Sequence, residues 1–188
     1  MLKIKIPKQD LWDEETEKFI SIDNDTILCL EHSLLSISKW EMIWKKPFLS
    51  NTQLTEEQSL SYIQCMCING IDDIKYYKAI SPSDIKRINK YIEDPMTATF
   101  FNETKKKKEK KRIITNELIY YWMISFQIPK EMEKWHINRL LTLIKVCNEE
   151  LEAQNKNMNS KNKRPSKSYL ADRDALNAMR KAKLHSKG

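Results

Sequence analysis

The chain has 188 residues, 40% apolar and 31% charged, with a formal net charge of +7; these values fit a globular domain with its own core and exclude collagen-like and disulfide-scaffold classes. It contains two glycines, Gly70 and Gly188. Neither a dinucleotide-binding fingerprint nor a P-loop can therefore be written, because both need closely set glycines to bring backbone amides onto phosphate.

The charge is unevenly placed. Residues 153–188 hold ten Lys and Arg against two Asp, and the run "KKKKEKKR" at 105–112 adds seven bases against one acid. Outside these two stretches the body is acidic, so basicity resembles solvated appendages rather than the basic face of a dedicated nucleic-acid-binding fold.

In chain order, "MLKIKIPKQDLWDEE" has no continuous apolar stretch of the kind a secretory signal needs. "LKIKI" alternates charged and apolar residues, and "KFISI" and "TILCL" flank Asp23, Asn24 and Asp25, which predicts two short strands around an acidic turn. In "SLLSISKWEMIWKKPF", Leu34, Ile37, Trp40 and Trp44 take helical spacing with both Trp on one side, and Pro47 stops the pattern. Thr55 and Gln58 form a capping-box pair opening a second helix, which Gly70 is expected to close. "SPSDIKRINKYIED" predicts a third helix: Ser81 is its N-cap, Pro82 its first residue, Asp84 lies in its first turn, and Ile85, Ile88 and Ile92 form its stripe before Pro95.

After the basic run, "TNELIYYWMISFQ" predicts a helix of three turns broken by Pro129. "KEMEKWHINRLLTLIKVCNEELEA" then predicts the longest helix, with Ile137, Leu140, Leu141, Ile144, Cys147 and Leu151 on one face and Arg139, Lys145 and Glu149 off it. Together they suggest an αα-hairpin at the centre of the core. Its longest apolar run, "LIYYWMI" at 118–124, falls far short of the roughly 20 residues of a membrane helix. "QNKNMNSKNKRPSKS" at 154–168 has too little apolar surface to offset its ordering entropy and predicts a disordered linker, and "YLADRDALNAMRKAKLHSKG" predicts a marginal helix. The fold class is thus mainly α: a core domain at 1–152 with a small N-terminal antiparallel β element, a flexible polar linker at 153–168, and a basic tail at 169–188.

No residue constellation spells a reaction. Cys29, Cys65, Cys67 and Cys147 read as reduced, buried small hydrophobes. Cys65 and Cys67 with His32, His136 and His185 supply metal-binding atoms, but no C-x-x-C pair or finger spacing accompanies them, and no metal or cofactor is expected. Cys147 and His136 lie three turns apart on one predicted helix, so they cannot form a nucleophile–base pair, and the paired carboxylates sit in ordinary polar contexts. Trp40, Trp44, Trp122 and Trp135 fit core packing first, but aromatic residues and Arg are also enriched at interface centres. These four with Arg139 form the candidate partner-binding set. "IYYW" places large rings on consecutive positions, so at least one of Tyr120, Tyr121 and Trp122 must reach a second surface. The basic appendages, Lys105, Lys106, Lys107, Lys108, Lys110, Lys111 and Arg112 in the run and Arg180, Lys181 and Lys183 in the tail, suit phosphate but have few aromatics for base stacking.

At "LEHSLLSISKWEMIWKKPFLS", "DPMTATFF", "ITNELIYYWMISFQIPKEMEKWHINRLLTLIKVCN" and "ALNAMRKAKLHSKG", the sequence resembles a family of tailed-bacteriophage proteins assigned as tail assembly chaperones or virion-assembly proteins. The resemblance covers most of residues 19–188. It implies a non-enzymatic late protein of the host cytoplasm that keeps the helical tape measure protein soluble during viral tail assembly, with oligomerisation open. The alternative it leaves is a structural or packaging protein of the virion that touches DNA through its basic loop and tail.

Overall fold

A computed structural model describes residues 1–13, 17–50, 53–101, 112–161 and 167–184. The fold is mainly α. Two compact units make up the chain, Met1–Cys147 and Asn148–Gly188.

The first unit opens on a two-stranded antiparallel ribbon built in two sections. β1 (Leu2–Ile6) pairs with β4 (Thr26–Leu30), and β2 (Gln9–Asp13) pairs with β3 (Lys18–Ile22). The strands expected at "KFISI" and "TILCL" both form, but each pairs with an earlier strand rather than with the other. The reason lies in the alternation: Ile4 and Ile6 on β1 and Leu28 and Leu30 on β4 share one buried face, and Ile4 stands directly opposite Leu28. Between the sections, Pro7 and Lys8 face Asp23, Asn24 and Asp25, one residue more, and the mismatch is held by the Lys8 N–H donating to Asp25 Oδ1 at 2.9 Å.

β4 also borrows a partner from the helical part. Glu31 N–H donates to the Met66 carbonyl and Ile68 N–H to the Cys29 carbonyl, both at 2.9 Å. The Asn69 side chain then continues the ladder in place of backbone, accepting from Cys29 N–H at 3.1 Å and donating to the Ile27 carbonyl at 2.8 Å.

α1 (Leu34–Trp44) starts at Ser33, whose hydroxyl accepts from Ser36 N–H, and ends at Lys45 in the left-handed region with φ 53°. Its Leu34, Ile37 and Trp40 are fully buried. α2 (Glu56–Met66) carries the expected capping box at Thr55 and Gln58, but it ends at Met66 rather than at Gly70, because Cys67 turns extended to meet β4. A short helix not foreseen, α3 (Ile74–Lys78), is capped by Asp73 and buries Tyr77. α4 (Pro82–Glu93) has the Ser81 cap, the Pro82 start and the Ile88 anchor that its sequence indicates.

α5 (Asn116–Ser125) stops before Pro129. Gln127 adopts φ 56° and donates to the Ile124 carbonyl, while Ile128 N–H reaches the Met123 carbonyl at 2.8 Å. This is a Schellman closure on a residue that is not glycine. A 3₁₀ turn (Lys130–Lys134) follows, and α6 begins only at Ile137 and runs to Lys161. The segment from 130 is therefore not one helix. Nor is the expected αα-hairpin the centre of the core: the main neighbour of both α5 and the 3₁₀ turn is α1. The core instead gathers Trp40 of α1, Met66 of α2, Ile119 of α5, and Ile137 and Leu140 of α6 against the buried face of the ribbon.

The second unit holds the remainder of α6 and α7 (Lys167–Lys183). α6 extends to Lys161, into the stretch expected to be a disordered linker from 154 on; 162–166 lie outside the described residues. Leu151, expected on the buried face, is exposed, as are Leu176 and Met179 of α7.

Candidate partner-binding groove

α1 and α5 lie antiparallel, joined by a buried carboxylate. Glu41, near the C-terminal end of α1, accepts from Asn116 N–H at 2.9 Å, from Asn116 Nδ2 at 2.5 Å and from Phe48 N–H at 2.7 Å. Thr115, at the N-cap position of α5, makes no side-chain cap bond. Glu41 thus caps α5 from the neighbouring helix, and its negative charge lies at the positive end of the α5 dipole.

The outward side of this seam is open and largely apolar. A recess of about 480 Å³ at one end is lined by Ser38, Met42, Lys45 and Lys46 with Thr115 and Glu117. A second, of about 530 Å³, is lined by Leu35 with Tyr120, Ile124, Ile128 and Lys130. Leu35, Ser38 and Met42 follow a 3, 4 spacing on α1, and Glu117, Tyr120 and Ile124 a 3, 4 spacing on α5, so each helix gives one stripe to the two recesses. Met42 is 64% exposed, Ile43 60%, Tyr121 63% and Ile124 77%. Isolated exposed apolar residues are ordinary, but Met42 and Ile124 each line a recess of the same seam, beside Leu35 and Ile128, which makes an apolar surface of the kind that meets a partner.

The expected partner-binding set does not gather here. Trp40 is 0% exposed and donates to the Gln58 carbonyl at 3.0 Å, so it serves the core. Trp44 stacks on Trp40 with ring centres 6.2 Å apart and donates to Ser61 Oγ at 3.0 Å. Trp122 is half-buried against the core. Trp135 and exposed Arg139 pair with each other, the guanidinium lying 3.9 Å from the ring centre. Met42 follows from the same stripe read from its other side: when Leu34, Ile37 and Trp40 face in, Met42 in "WEMIW" must face out. Of the consecutive rings in "IYYW", Tyr120 and Trp122 are half-buried and Tyr121 is exposed.

Of the basic appendages, 105–111 lie outside the described residues, Arg112 is exposed, and Arg180, Lys181 and Lys183 lie exposed in the second unit.

A separate polar cluster is buried behind α1. His32 Nδ1 and the Tyr62 hydroxyl share a hydrogen bond, and the His32 and His136 rings meet edge to face with centres 5.0 Å apart. His136 Nε2 donates to the Tyr91 carbonyl at 2.9 Å, and the Tyr91 hydroxyl donates to Glu31 at 2.6 Å. Burial, with the neighbouring His136 second, pushes His32 down to about 3, and burial also lowers His136. Both imidazoles are therefore neutral at physiological pH. The cluster joins the start of α1, the end of α4 and the start of α6, with Ile137 N–H donating to the His32 carbonyl at 2.7 Å. Among the described residues no group of three or more His, Cys, Asp or Glu is placed to hold a metal ion, and no helix is long and apolar enough to cross a membrane.

No family model, curated protein or solved structure matches this chain.

Proposed function

We propose that this chain is a non-enzymatic assembly chaperone of the tailed-bacteriophage kind, acting in the host cytoplasm, and that it holds a helical segment of the tape measure protein in the α1–α5 groove. The observation that supports this reading best is the open apolar seam with exposed Met42 and Ile124 along it. An amphipathic helix laid there would exchange exposed apolar area for packed contact, the usual mode of helix-in-groove recognition. Co-expression with the tape measure protein encoded by the same phage tests it. Co-purification should persist from about 0.1 M to about 0.5 M salt, because the anchoring contacts are apolar. It should be lost in a Met42→Asp/Ile124→Asp variant that keeps the wild-type melting curve. Retention of the partner by that variant, or its absence from the wild type, defeats the proposal.

The exposed Arg180, Lys181 and Lys183 of α7 support a second reading, a virion or packaging protein in contact with DNA. Such binding would fall steeply over the same salt range.

A further inference from the structure

The charges that border the groove are not equivalent. Glu41 is committed to three N–H donors, and Glu133 accepts from the Tyr120 hydroxyl at 3.0 Å. Glu117 is engaged at the start of α5: its own backbone N–H, then the Thr115 side chain, hold its carboxyl below its ordinary range. Among the described residues no carboxylate pairs with Lys45, Lys46 or Lys130, all of which are exposed. The acids along the seam are thus taken up by donors of the fold itself, two of them at the positive end of α5, while the ammonium groups are free to meet a partner.

These free cations stand at both ends. Lys45 and Lys46 border the recess beside the start of α5, and Lys130 borders the recess beside its end. From Leu35 to Lys45, where the helix ends, the α1 wall runs roughly 15 Å at about 1.5 Å per residue, or nearly three turns. Resting on the groove reading above, we infer that the occupant is an amphipathic helix whose apolar stripe of about three turns is bordered at each end by carboxylates. Apolar contact supplies the affinity and the end charges select the partner, since complementary rim charge governs specificity and encounter rate more than bulk affinity.

The test uses the full-length protein and two fluorescein-labelled synthetic helices of identical Leu and Ile stripe, one with paired Glu at each end and one with paired Lys. By fluorescence anisotropy at about 0.1 M salt, the Glu peptide should bind at least about tenfold more tightly, and the ratio should shrink as salt rises. A Lys46→Glu/Lys130→Glu variant, altered only at exposed positions, should lose or invert the preference while still binding the Lys peptide. Equal affinity of the two peptides for the wild type overturns the charge inference and leaves the helix groove standing. Binding of neither peptide overturns both, and a preference unchanged in the double variant places the selecting charges elsewhere and refutes the assignment.

Discussion

Replacing Glu41 by alanine tests the joint on which the groove depends. The side chain sits close to the C-terminal end of α1, where a negative charge is locally unfavourable, yet it is buried and serves three donors on two other segments. A hydrogen bond to a charged group contributes about 1.5–3 kcal/mol, and a buried donor left without an acceptor costs about 1–3 kcal/mol. The three donors share one carboxylate, so their losses do not add in full, and about 3–5 kcal/mol is expected for Glu41→Ala. That is a large part of the roughly 5–15 kcal/mol that holds a domain folded. Glu41→Gln keeps the shape and one acceptor but turns an NH₂ towards N–H donors, for about 2 kcal/mol. Urea titration followed by tryptophan fluorescence gives both numbers, and hydrogen exchange gives their location: the Phe48 and Asn116 amides should lose protection first. A Glu41→Ala change within about 0.5 kcal/mol of wild type, the range of an ordinary surface substitution, would refute the trans-capping argument.

Two further outcomes follow from the buried contacts. His32 titrates near 6.5 when unfolded and at about 3 when folded; the folded state resists protonation, so this contribution is complete above about pH 6.5 and is lost as the pH falls towards 3, at about 1.4 kcal/mol per unit. Urea stability should thus drop by about 2 kcal/mol between pH 6.5 and 5, more steeply than in His32→Gln, and parallel profiles of the two proteins would rule it out. Asn69→Ala removes the acceptor of Cys29 N–H and the donor to the Ile27 carbonyl at a water-accessible edge, so about 1 kcal/mol should be lost, with faster exchange of the Cys29 amide and little change elsewhere; an unaltered Cys29 amide would contradict the role given to the side chain.

Much of the helical layout is legible because its signals are local. A cap lies within three residues of the N–H groups it serves, so Thr55 with Gln58 and Ser81 with Pro82 could be read directly, and the α1 stripe repeats within one helix. The ribbon pairing was not legible, since "KFISI" can pair with either flank and only burial of Ile4 with Leu28 selects the arrangement. Helix ends failed for a related reason. Gly70 looked like a terminator, but pairing of Cys67 with β4 ended α2 earlier, and the Ser33–His136 bridge held 135–136 extended so that α6 starts only at Ile137.

By itself the sequence determined that the protein is mainly helical, that a small β element comes first, and that Leu34, Ile37, Trp40 and Trp44 share one side of α1, because periodicity and capping act over a few residues. Only the tertiary structure decided that Glu41 caps α5, that Trp40 belongs to the core, and that Met42 and Ile124 border one groove. Glu41 and Asn116 lie 75 positions apart in the chain, and such contacts are set by how whole faces pack, which no local pattern encodes.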